Sequence, residues 1–178
     1  AMDNSILKQR TQGIGQYNTQ EAIDWGITGA SLRATGMDFD LRRDRPYGGY
    51  DQFEFEIPTA QNGDCYDRAV VRIEEIRQSL HIIRQCMDQM ESGPVMAEVP
   101  SVTLPPKDRV FKNLESMIQQ FKLFSQGFDA PVGEIYCGTE AHKGELGFYI
   151  VSTGSGQPYR MKIRSPSFIH MGAFDYMA

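Results

Sequence analysis

The sequence contains little cysteine and histidine, and neither residue type shows the spacing of a metal site. Cys65, Cys86 and Cys137 stand far apart without a Cys-x-x-Cys pair, and the three histidines are equally scattered. This spacing argues against a disulfide framework and against a zinc site, and it favours a reducing compartment. We therefore predict no metal ligands in this chain.

Long apolar runs and an excess of basic residues are also missing. No stretch reaches the roughly 18 apolar residues that a membrane span needs, and no charged-then-apolar leader is visible. The formal net charge is −5. This argues against nucleic acid as a partner, because neutralising phosphates requires a basic surplus. The opening Ala1-Met2 is typical of a cloning remnant, so we expect 1–178 to be a single domain cut from a larger protein.

A nucleotide-binding fingerprint is absent, although one stretch resembles it superficially. Lys143 stands beside glycines, and Ser-Thr-Gly-Ser-Gly follows at 152–156, but no GxxxxGK[ST] pattern surrounds them. A phosphate loop also requires a helix after the lysine, whereas strand-like runs flank Lys143. The glycines are therefore interpreted as hairpin turns.

Two helical stripes are the strongest signals that the sequence does contain. The first predicts a helix over about 64–91, begun by Asp64 and ended by Ser92-Gly93-Pro94. Its apolar positions recur at steps of three and four: Ala69, Ile73, Ile76, Leu80, Ile83, Met87 and Met90. The second stripe predicts a helix over about 107–126: Val110, Leu114, Met117, Phe121 and Phe124. We expect the two helices to pack on each other as a helical core over 64–126.

The remaining segments predict strands and an irregular charged loop. Residues 52–58 alternate phenylalanine and isoleucine with polar residues, which indicates a half-buried strand, and 133–166 contains three strand-like runs separated by glycine-rich turns. Residues 12–60 thus combine a charged loop with one strand. The predicted fold class is α+β, with two long helices beside a small antiparallel sheet.

Charged residues supply the candidate functional positions. The loop from Arg33 to Arg45 holds four arginines and three aspartates on glycine-interrupted backbone. We interpret it either as a solvated surface or as a satisfied network at an interface or redox site, because so many charges cannot be buried unpaired. The strand face that presents Arg160, Lys162 and Arg164 is either solvated, or it binds anions or an acidic partner. Glu140 and Glu145 flank Lys143 closely enough for an ion-pair network.

Four blocks of sequence together resemble one known family. They are SLRATGMDFDLRRDRPYGGYDQFEFEIP, NGDCYDRAVVRIEEIRQSLHIIRQC, QQFKLFSQGF and EAHKGELGFYIVSTGSGQPYRMKIRSPSF. They are similar, in order and with plausible spacing from about 12 to 168, to the quinone-chamber (D) subunit of the proton-translocating NADH:quinone oxidoreductase (respiratory complex I). That family is related to the large subunit of nickel–iron hydrogenases.

The resemblance implies a peripheral-arm subunit on the cytoplasmic (or mitochondrial matrix) side of the membrane. Such a protein packs against the subunit that holds the terminal iron–sulfur cluster, meets the quinone-channel membrane subunit, and helps to form the quinone-reduction chamber. The long helices would belong to a hydrogenase-like helical core, and the hairpin would be the family's β insertion. The enzyme implied is an NADH:quinone oxidoreductase, acting only as the assembled complex.

Departures from the family limit what can be transferred. The family's quinone-holding histidine and tyrosine precede the point at which this chain begins, and neither nickel-binding CxxC pair is present. We therefore expect a catalytically silent fragment from the second half of the family's sequence, with no catalytic, cofactor or metal residue of its own. Two alternatives remain: a fragment of an energy-converting nickel–iron hydrogenase, and an independent protein-binding module that uses the Arg160–Arg164 face.

Eleven residues are nonetheless candidates for structural or interface roles. The family's charged loop is matched by Arg33, Asp40, Arg42 and Tyr47, which we expect to lie near the redox partner. Its long helix and hairpin are matched by candidates for structural ion pairs: Asp64, Arg68, Arg72, Glu75, Lys143, Glu145 and Arg160.

Overall fold

The computed structural model describes residues 2–97 and 99–177, which form two compact units. The first unit comprises 1–90, 137–148 and 163–178, and the second comprises 91–136 and 149–162. The sequence predicts that residues 1–178 form a single domain. Folding of both units as one domain stays a prediction.

The first unit is built around one long helix. Its helices are α1 (Ser5–Thr11), α2 (Thr19–Asp24), α3 (Ala30–Arg33), α4 (Leu41–Asp44), α5 (Cys65–Gln89), α8 (Pro166–Gly172) and α9 (Phe174–Met177), with a 3-10 turn at Tyr50–Gln52. The second unit contains α6 (Lys107–Val110) and α7 (Leu114–Ser125). The predicted helix over 64–91 is confirmed in position and nearly in length.

Side-chain caps explain where the principal helices begin. Asp64 accepts a hydrogen bond from the Asp67 N–H at the start of α5. At α2, Asn18 and Glu21 bond reciprocally to each other's backbone N–H groups, forming the capping box that the sequence pattern predicts. These bonds satisfy amide groups that have no partner within the first helical turn.

The three strands form a sheet in the order β1-β2-β3. They are β1 (Gly133–Ala141), β2 (Gly144–Ser152) and β3 (Arg160–Arg164). The two-residue connection His142-Lys143 makes β1 and β2 antiparallel neighbours. The loop 153–159 joins β2 to β3, and so confirms the hairpin interpretation of the Ser-Gly stretch. Helices beside a small antiparallel sheet give the predicted α+β class.

The core of the first unit lies where the short helices meet α5 and the C-terminal helices. One buried cluster consists of Tyr17, Ala22, Ile27, Leu32 and Ala173. The other consists of Ala30, Ala34 and Val71, which joins α3 to α5 through small side chains. Because the α3 contacts are alanines, the backbone of α3 lies close to α5, and this position brings the charged end of α3 beside α5.

A glycine pair fixes the hairpin turn against the segment that precedes α3. Gly29 has φ +70°, and a Cβ there would lie 2.4 Å from the Gly144 Cα. Gly144 has φ +128°, and its own Cβ would lie 2.8 Å from the Thr28 carbonyl oxygen. Only glycine tolerates both the dihedral angle and the close approach. The Thr28 hydroxyl also accepts a hydrogen bond from the Glu145 N–H at 3.0 Å.

Three predictions of local structure are wrong. Residues 53–58 form an extended segment without strand pairing, since Gln85 and Gln78 of α5 accept hydrogen bonds from the Glu54 and Glu56 N–H groups. The charged loop contains two short helices, α3 and α4. The helix predicted over 107–126 is split, because Asn113 adopts an extended conformation and caps a new start of α7.

Both predicted apolar stripes are exposed. On α5 and its C-cap the exposed members are Ile76, Leu80, Ile83, Met87 and Met90. On α7 they are Leu114, Met117, Phe121 and Phe124. The buried positions of α5 are instead Asp67, Val71 and Ile82. The prediction that the two stripes bury each other is therefore wrong. A periodic stripe identifies the apolar face of a helix but does not identify what covers it.

Candidate functional site: a buried arginine–carboxylate cluster

Arg33 is the centre of a buried charged cluster in the first unit. It is the last residue of α3, and only 2% of its surface is exposed. Its Nε and Nη2 donate to Glu75 Oε1 at 2.9 and 2.5 Å, and Nη2 also donates to Glu140 Oε1 at 3.0 Å. Nη1 donates to the Phe39 carbonyl at 2.9 Å. One guanidinium thus joins α3, α5 and β1.

Asp40 and Arg42 form the second half of the cluster. Asp40 is fully buried and caps α4 by accepting from the Arg42 N–H. The Arg42 side chain in turn donates two hydrogen bonds to the Asp40 carboxylate. Nε donates to Oδ1 at 3.0 Å, and Nη2 donates to Oδ2 at 2.6 Å. The Arg42 guanidinium also lies over the rings of Tyr50 and Phe55, at 5.9 and 5.0 Å from their centroids. Planar, delocalised arginine suits both kinds of contact.

Glu140 links the two arginines to the sheet. Its Oε2 accepts from the Leu41 N–H at 3.4 Å, while its own N–H donates to the Tyr47 hydroxyl at 2.8 Å. Asp40 Oδ2 lies 3.4 Å from Arg33 Nη1, and this ion pair joins the two halves of the cluster. We call these residues the Arg33 cluster: Arg33, Asp40, Arg42, Glu75 and Glu140.

The cluster contains two guanidinium groups and three carboxylates, and the pKa values of Asp40 and Glu140 shift in opposite directions. Burial alone would raise the pKa of Asp40, but the hydrogen bonds and charge of Arg42, with the charge of Arg33, hold it below its usual value. Burial raises the pKa of Glu140, and Arg33 offsets this only in part. Burial therefore favours the protonated form of Glu140, in contrast to Asp40.

Each of the four candidates in the charged loop has a defined place. Arg33, Asp40 and Arg42 meet in the cluster, and Tyr47 contacts its Glu140 end. Burial raises the pKa of Tyr47, so its hydroxyl is neutral at physiological pH. The network of paired charges is present for these residues, whereas its place at an interface or redox site stays a prediction. The exposed pair of Arg43 with Asp38 remains at the surface.

The candidates on α5 divide into one ion-pair partner and three with other roles. Glu75 pairs with Arg33, as described. Asp64 is a helix cap that also accepts from the Gly13 N–H at 2.8 Å. Arg68 donates to the carbonyls of Gly15 and Gly63. Arg72 donates to the Arg68 carbonyl and the Ser31 hydroxyl, and its buried Nε has no partner within the described part of the chain.

The hairpin candidates also differ from the ion-pair prediction. Glu145 lies 3.7 Å from Arg164, which donates to the carbonyls of Glu145 and Gly26. Lys143 is exposed at the β1–β2 turn, and Arg160 is exposed on β3. Within residues 2–97 and 99–177, neither forms an ion pair. The predicted pairing of Lys143 with Glu140 and Glu145 is therefore wrong, because Glu140 turns to Arg33 instead.

Two functional positions could not be assigned correctly from the sequence. The sequence places Glu140 next to Lys143, yet in the structure Glu140 is a central acceptor of the cluster. The surplus of arginine over aspartate in the charged loop was a signal that a distant carboxylate would be needed. The scattered histidines carry no spacing signal, yet the His170 Nε2 accepts from the Thr28 N–H at 3.2 Å.

The fold and site describe an α+β scaffold whose buried charges hold separate elements together. Among the described residues, no group of three or more histidine, cysteine or acidic side chains is arranged to hold a metal ion. None of the described helices is both long enough and apolar enough to cross a membrane. The cysteines are free thiols.

Comparison with known proteins identifies the family. Residues 1–178 match the family described as "Respiratory-chain NADH dehydrogenase, 49 Kd subunit", and the chain belongs to it. The D subunit of NADH-quinone oxidoreductase from Geobacter metallireducens is 50% identical over 175 residues, which cover 98% of this chain and 45% of the relative. The D subunit from Wolbachia sp. subsp. Brugia malayi is 49% identical, again over 45% of its length.

A C/D relative shows the same level of similarity. The C/D subunit of NADH-quinone oxidoreductase from Methylococcus capsulatus is 51% identical over 177 residues, which cover 99% of this chain and 30% of the relative. The chain spans somewhat less than half the length of the D subunits that it matches. The family resemblance found in the sequence is thereby confirmed.

Proposed function

We propose that this chain serves NADH:quinone oxidoreduction as part of a peripheral-arm subunit of respiratory complex I. In this role it packs against the subunit with the terminal iron–sulfur cluster and against the quinone-channel membrane subunit. It forms part of the wall of the quinone-reduction chamber, on the cytoplasmic or matrix side. It binds no cofactor itself, and electrons pass from the partner's cluster to quinone.

The observation that carries this proposal is the match of the family to all 178 residues, with about half of the residues identical to proteins named as D subunits of NADH-quinone oxidoreductase. These relatives belong by name to a quinone oxidoreductase, which favours the quinone enzyme over the hydrogenase alternative. A hydrogenase-like helical core is the fold that we propose for the complete protein.

The exposed stripes of α5 and α7 support an assembly role over an independent binding module. A self-contained module is expected to bury its large apolar side chains, whereas Phe121, Phe124 and Met87 are each more than half exposed. Contiguous apolar faces of this kind are typical of surfaces that pack against another part of an assembly.

The Arg33 cluster is the part of the chain that we assign to the chamber wall. It fixes α3, α4, α5 and β1 with charge-assisted hydrogen bonds, which are stronger and more directional than neutral ones. A wall beside a redox site has to keep its shape as the charge of the quinone changes. A cluster that contains a protonatable carboxyl group, Glu140, also accommodates such a change in charge.

The test is complementation in cells that lack this protein, with the complete gene product restored as wild type or with Arg33→Ala. Assembled complex and NADH:quinone reductase rate are measured in the same membranes. We expect Arg33→Ala to lower the rate per assembled complex or to prevent assembly. Arg43→Ala, which removes an exposed arginine from the same segment, is the matched control and should leave both unchanged.

The outcomes separate the two roles. Normal assembly with slow turnover assigns the cluster to the quinone chamber, whereas failed assembly assigns it to an interface. A full rate with full assembly in Arg33→Ala would contradict the role of the cluster. If the wild-type complete gene product restores no activity, the proposed function itself is wrong.

A further inference from the structure

A cavity beside the Arg33 cluster is lined by two cationic side chains, Arg72 and Lys143. Neither forms an ion pair with a carboxylate of the described residues. The volume of the cavity is about 400 Å³, within the range of small-molecule sites. The side of α5 contributes Arg72, Glu75 and Ser79, and the β1–β2 turn contributes His142 and Lys143. Arg33, Arg42 and Glu140 complete the charged lining. All of these residues belong to the first unit.

Some of the charged side chains that line the cavity form ion pairs, and others do not. Arg33 and Arg42 are committed to the carboxylates of the Arg33 cluster. Within the part of the chain that the structure describes, Arg72 and Lys143 form no ion pair, and the buried Arg72 Nε donates no hydrogen bond. A buried donor without an acceptor is unfavourable, and the loss is larger for a charged group.

The two unneutralised cations act on the same region. Burial lowers the pKa of His170, and the charges of Arg164, Arg72 and Lys143 lower it further. Arg72 and Lys143 line the same cavity. Arginine offers several N–H donors in a fixed plane, while lysine offers a mobile point charge at the rim.

We propose that this cavity binds a small dianion, either a phosphate or a dicarboxylate, between Arg72 and Lys143. Oxyanion oxygens would accept from the Arg72 guanidinium and from the lysine ammonium, and the Ser79 hydroxyl is a further polar group of the lining. Charge-assisted bonds from two cations favour a dianion over a monovalent ion. This site does not depend on the proposed function of the family.

Isothermal titration of the 178-residue chain with inorganic phosphate, and separately with succinate, tests the proposal. Sodium chloride keeps the ionic strength constant, so that general screening does not vary. We expect saturable binding of at least one dianion, with a Kd of about 1 mM. Tighter binding of phosphate indicates a phosphate ligand, whereas tighter binding of succinate indicates a dicarboxylate.

Charge-removal variants locate the site. Arg72→Gln and Lys143→Gln should each weaken binding about tenfold, the size expected for loss of one charge-assisted hydrogen bond. The matched controls are Arg84→Gln on the same helix and Lys162→Gln on β3. Both side chains are exposed outside the cavity and should change Kd by less than about twofold.

Three results would overturn the proposal: no saturable binding of either dianion, equal weakening by all four variants, or unchanged binding in Lys143→Gln. Equal weakening would indicate attraction to the net charge of the surface only. Circular dichroism checks the fold of each variant. If Arg72→Gln does not fold, Lys143→Gln decides alone, because Lys143 is exposed on a turn and its side chain does not support the core.

Discussion

Arg33 combines near-complete burial with three carboxylate partners, so its charge is essential to those partners. Replacement by methionine keeps much of the side-chain volume but leaves Glu75 and Glu140 buried without their shared cation. Removing one partner of a buried ion pair typically costs about 3–5 kcal/mol. We expect Arg33→Met to lower the free energy of unfolding by about that amount, measured by urea denaturation followed by circular dichroism.

Arg43→Met is the matched control. Arg43 pairs with Asp38 and Asp44, but about half of its side chain is exposed. Such surface pairs contribute at most about 1 kcal/mol. If Arg33→Met and Arg43→Met lower the free energy of unfolding equally, the Arg33 cluster has no special structural role.

The surroundings of His170 predict that the free energy of unfolding decreases in mild acid. Burial, with the charges of Arg164, Arg72 and Lys143, lowers the pKa of His170 below its ordinary value of 6.5. Between that value and the lower folded-state pKa, the unfolded chain binds more protons than the folded one, so stability rises with pH. Protonation also removes the acceptor of the Thr28 N–H. We expect the free energy of unfolding to fall as the pH is lowered below about 6.5.

The contribution of His170 is isolated by substitution. In His170→Gln, the free energy of unfolding should change less between pH 7 and pH 5 than in the wild type. His81→Gln, at an exposed position on α5, is the control and should keep the wild-type slope. An unaltered slope in His170→Gln would show that another group causes the acid sensitivity.

At the scale of elements, α5 depends on its first turn. Asp64 accepts from the Asp67 N–H and the Gly13 N–H, both at 2.8 Å, so one carboxylate caps the helix and fixes the segment after α1. Loss of a cap typically costs about 1 kcal/mol, and up to about 2. We expect Asp64→Ala to lower the free energy of unfolding by this amount in a urea titration.

Asp88→Ala is the control for the cap. Asp88 is exposed in the last turn of α5, where a negative charge opposes the helix dipole. Its removal should leave stability unchanged or slightly increased. Equal destabilisation by both substitutions would show that a general effect of removing an aspartate, and not the loss of the cap, explains the result at Asp64.

The elements differ in how far the sequence determines them. The caps and the apolar period of α5 are local signals, so its bounds could be predicted within two residues. The extended segment at 53–58 could not, because its amide partners are Gln78 and Gln85 of α5 rather than another strand. The break at Asn113 had a local signal, a capping residue, which the uninterrupted stripe outweighed.

The candidate site was predictable in part for the same reason. Arg33, Asp40 and Arg42 lie close in sequence, and their charge density indicated a network. Glu140 joins that network from a position 107 residues away in the sequence. At this separation neither the periodicity of a helix or strand nor the spacing of charged residues predicts a contact. What covers the apolar stripe of α5 is likewise decided by tertiary and quaternary packing, which a single helix does not encode.

At the scale of the whole molecule, the exposed stripe of α5 predicts self-association of the isolated chain. Ile83 and Met87 are 52% and 68% exposed on one face, and each buried methylene contributes about 0.8 kcal/mol to association. We expect Ile83→Lys to weaken self-association at least about tenfold, measured by sedimentation velocity over a range of concentrations.

Gln89→Lys adds the same charge at an exposed position near the end of α5 and should leave self-association nearly unchanged. The circular dichroism spectrum of Ile83→Lys should match the wild type, because the side chain is already exposed. A wild-type chain that remains monomeric at all concentrations would contradict the prediction.

The division of the first unit into three stretches of chain has a consequence for biosynthesis. Arg33 meets Glu140 only after 107 further residues have been added, and Thr28 meets His170 after 142. At about 5–20 residues per second, a ribosome needs roughly 5–20 s to supply Glu140 after Arg33. The first unit can therefore complete its buried charge network only late in synthesis, after residues 91–136 of the second unit have been added.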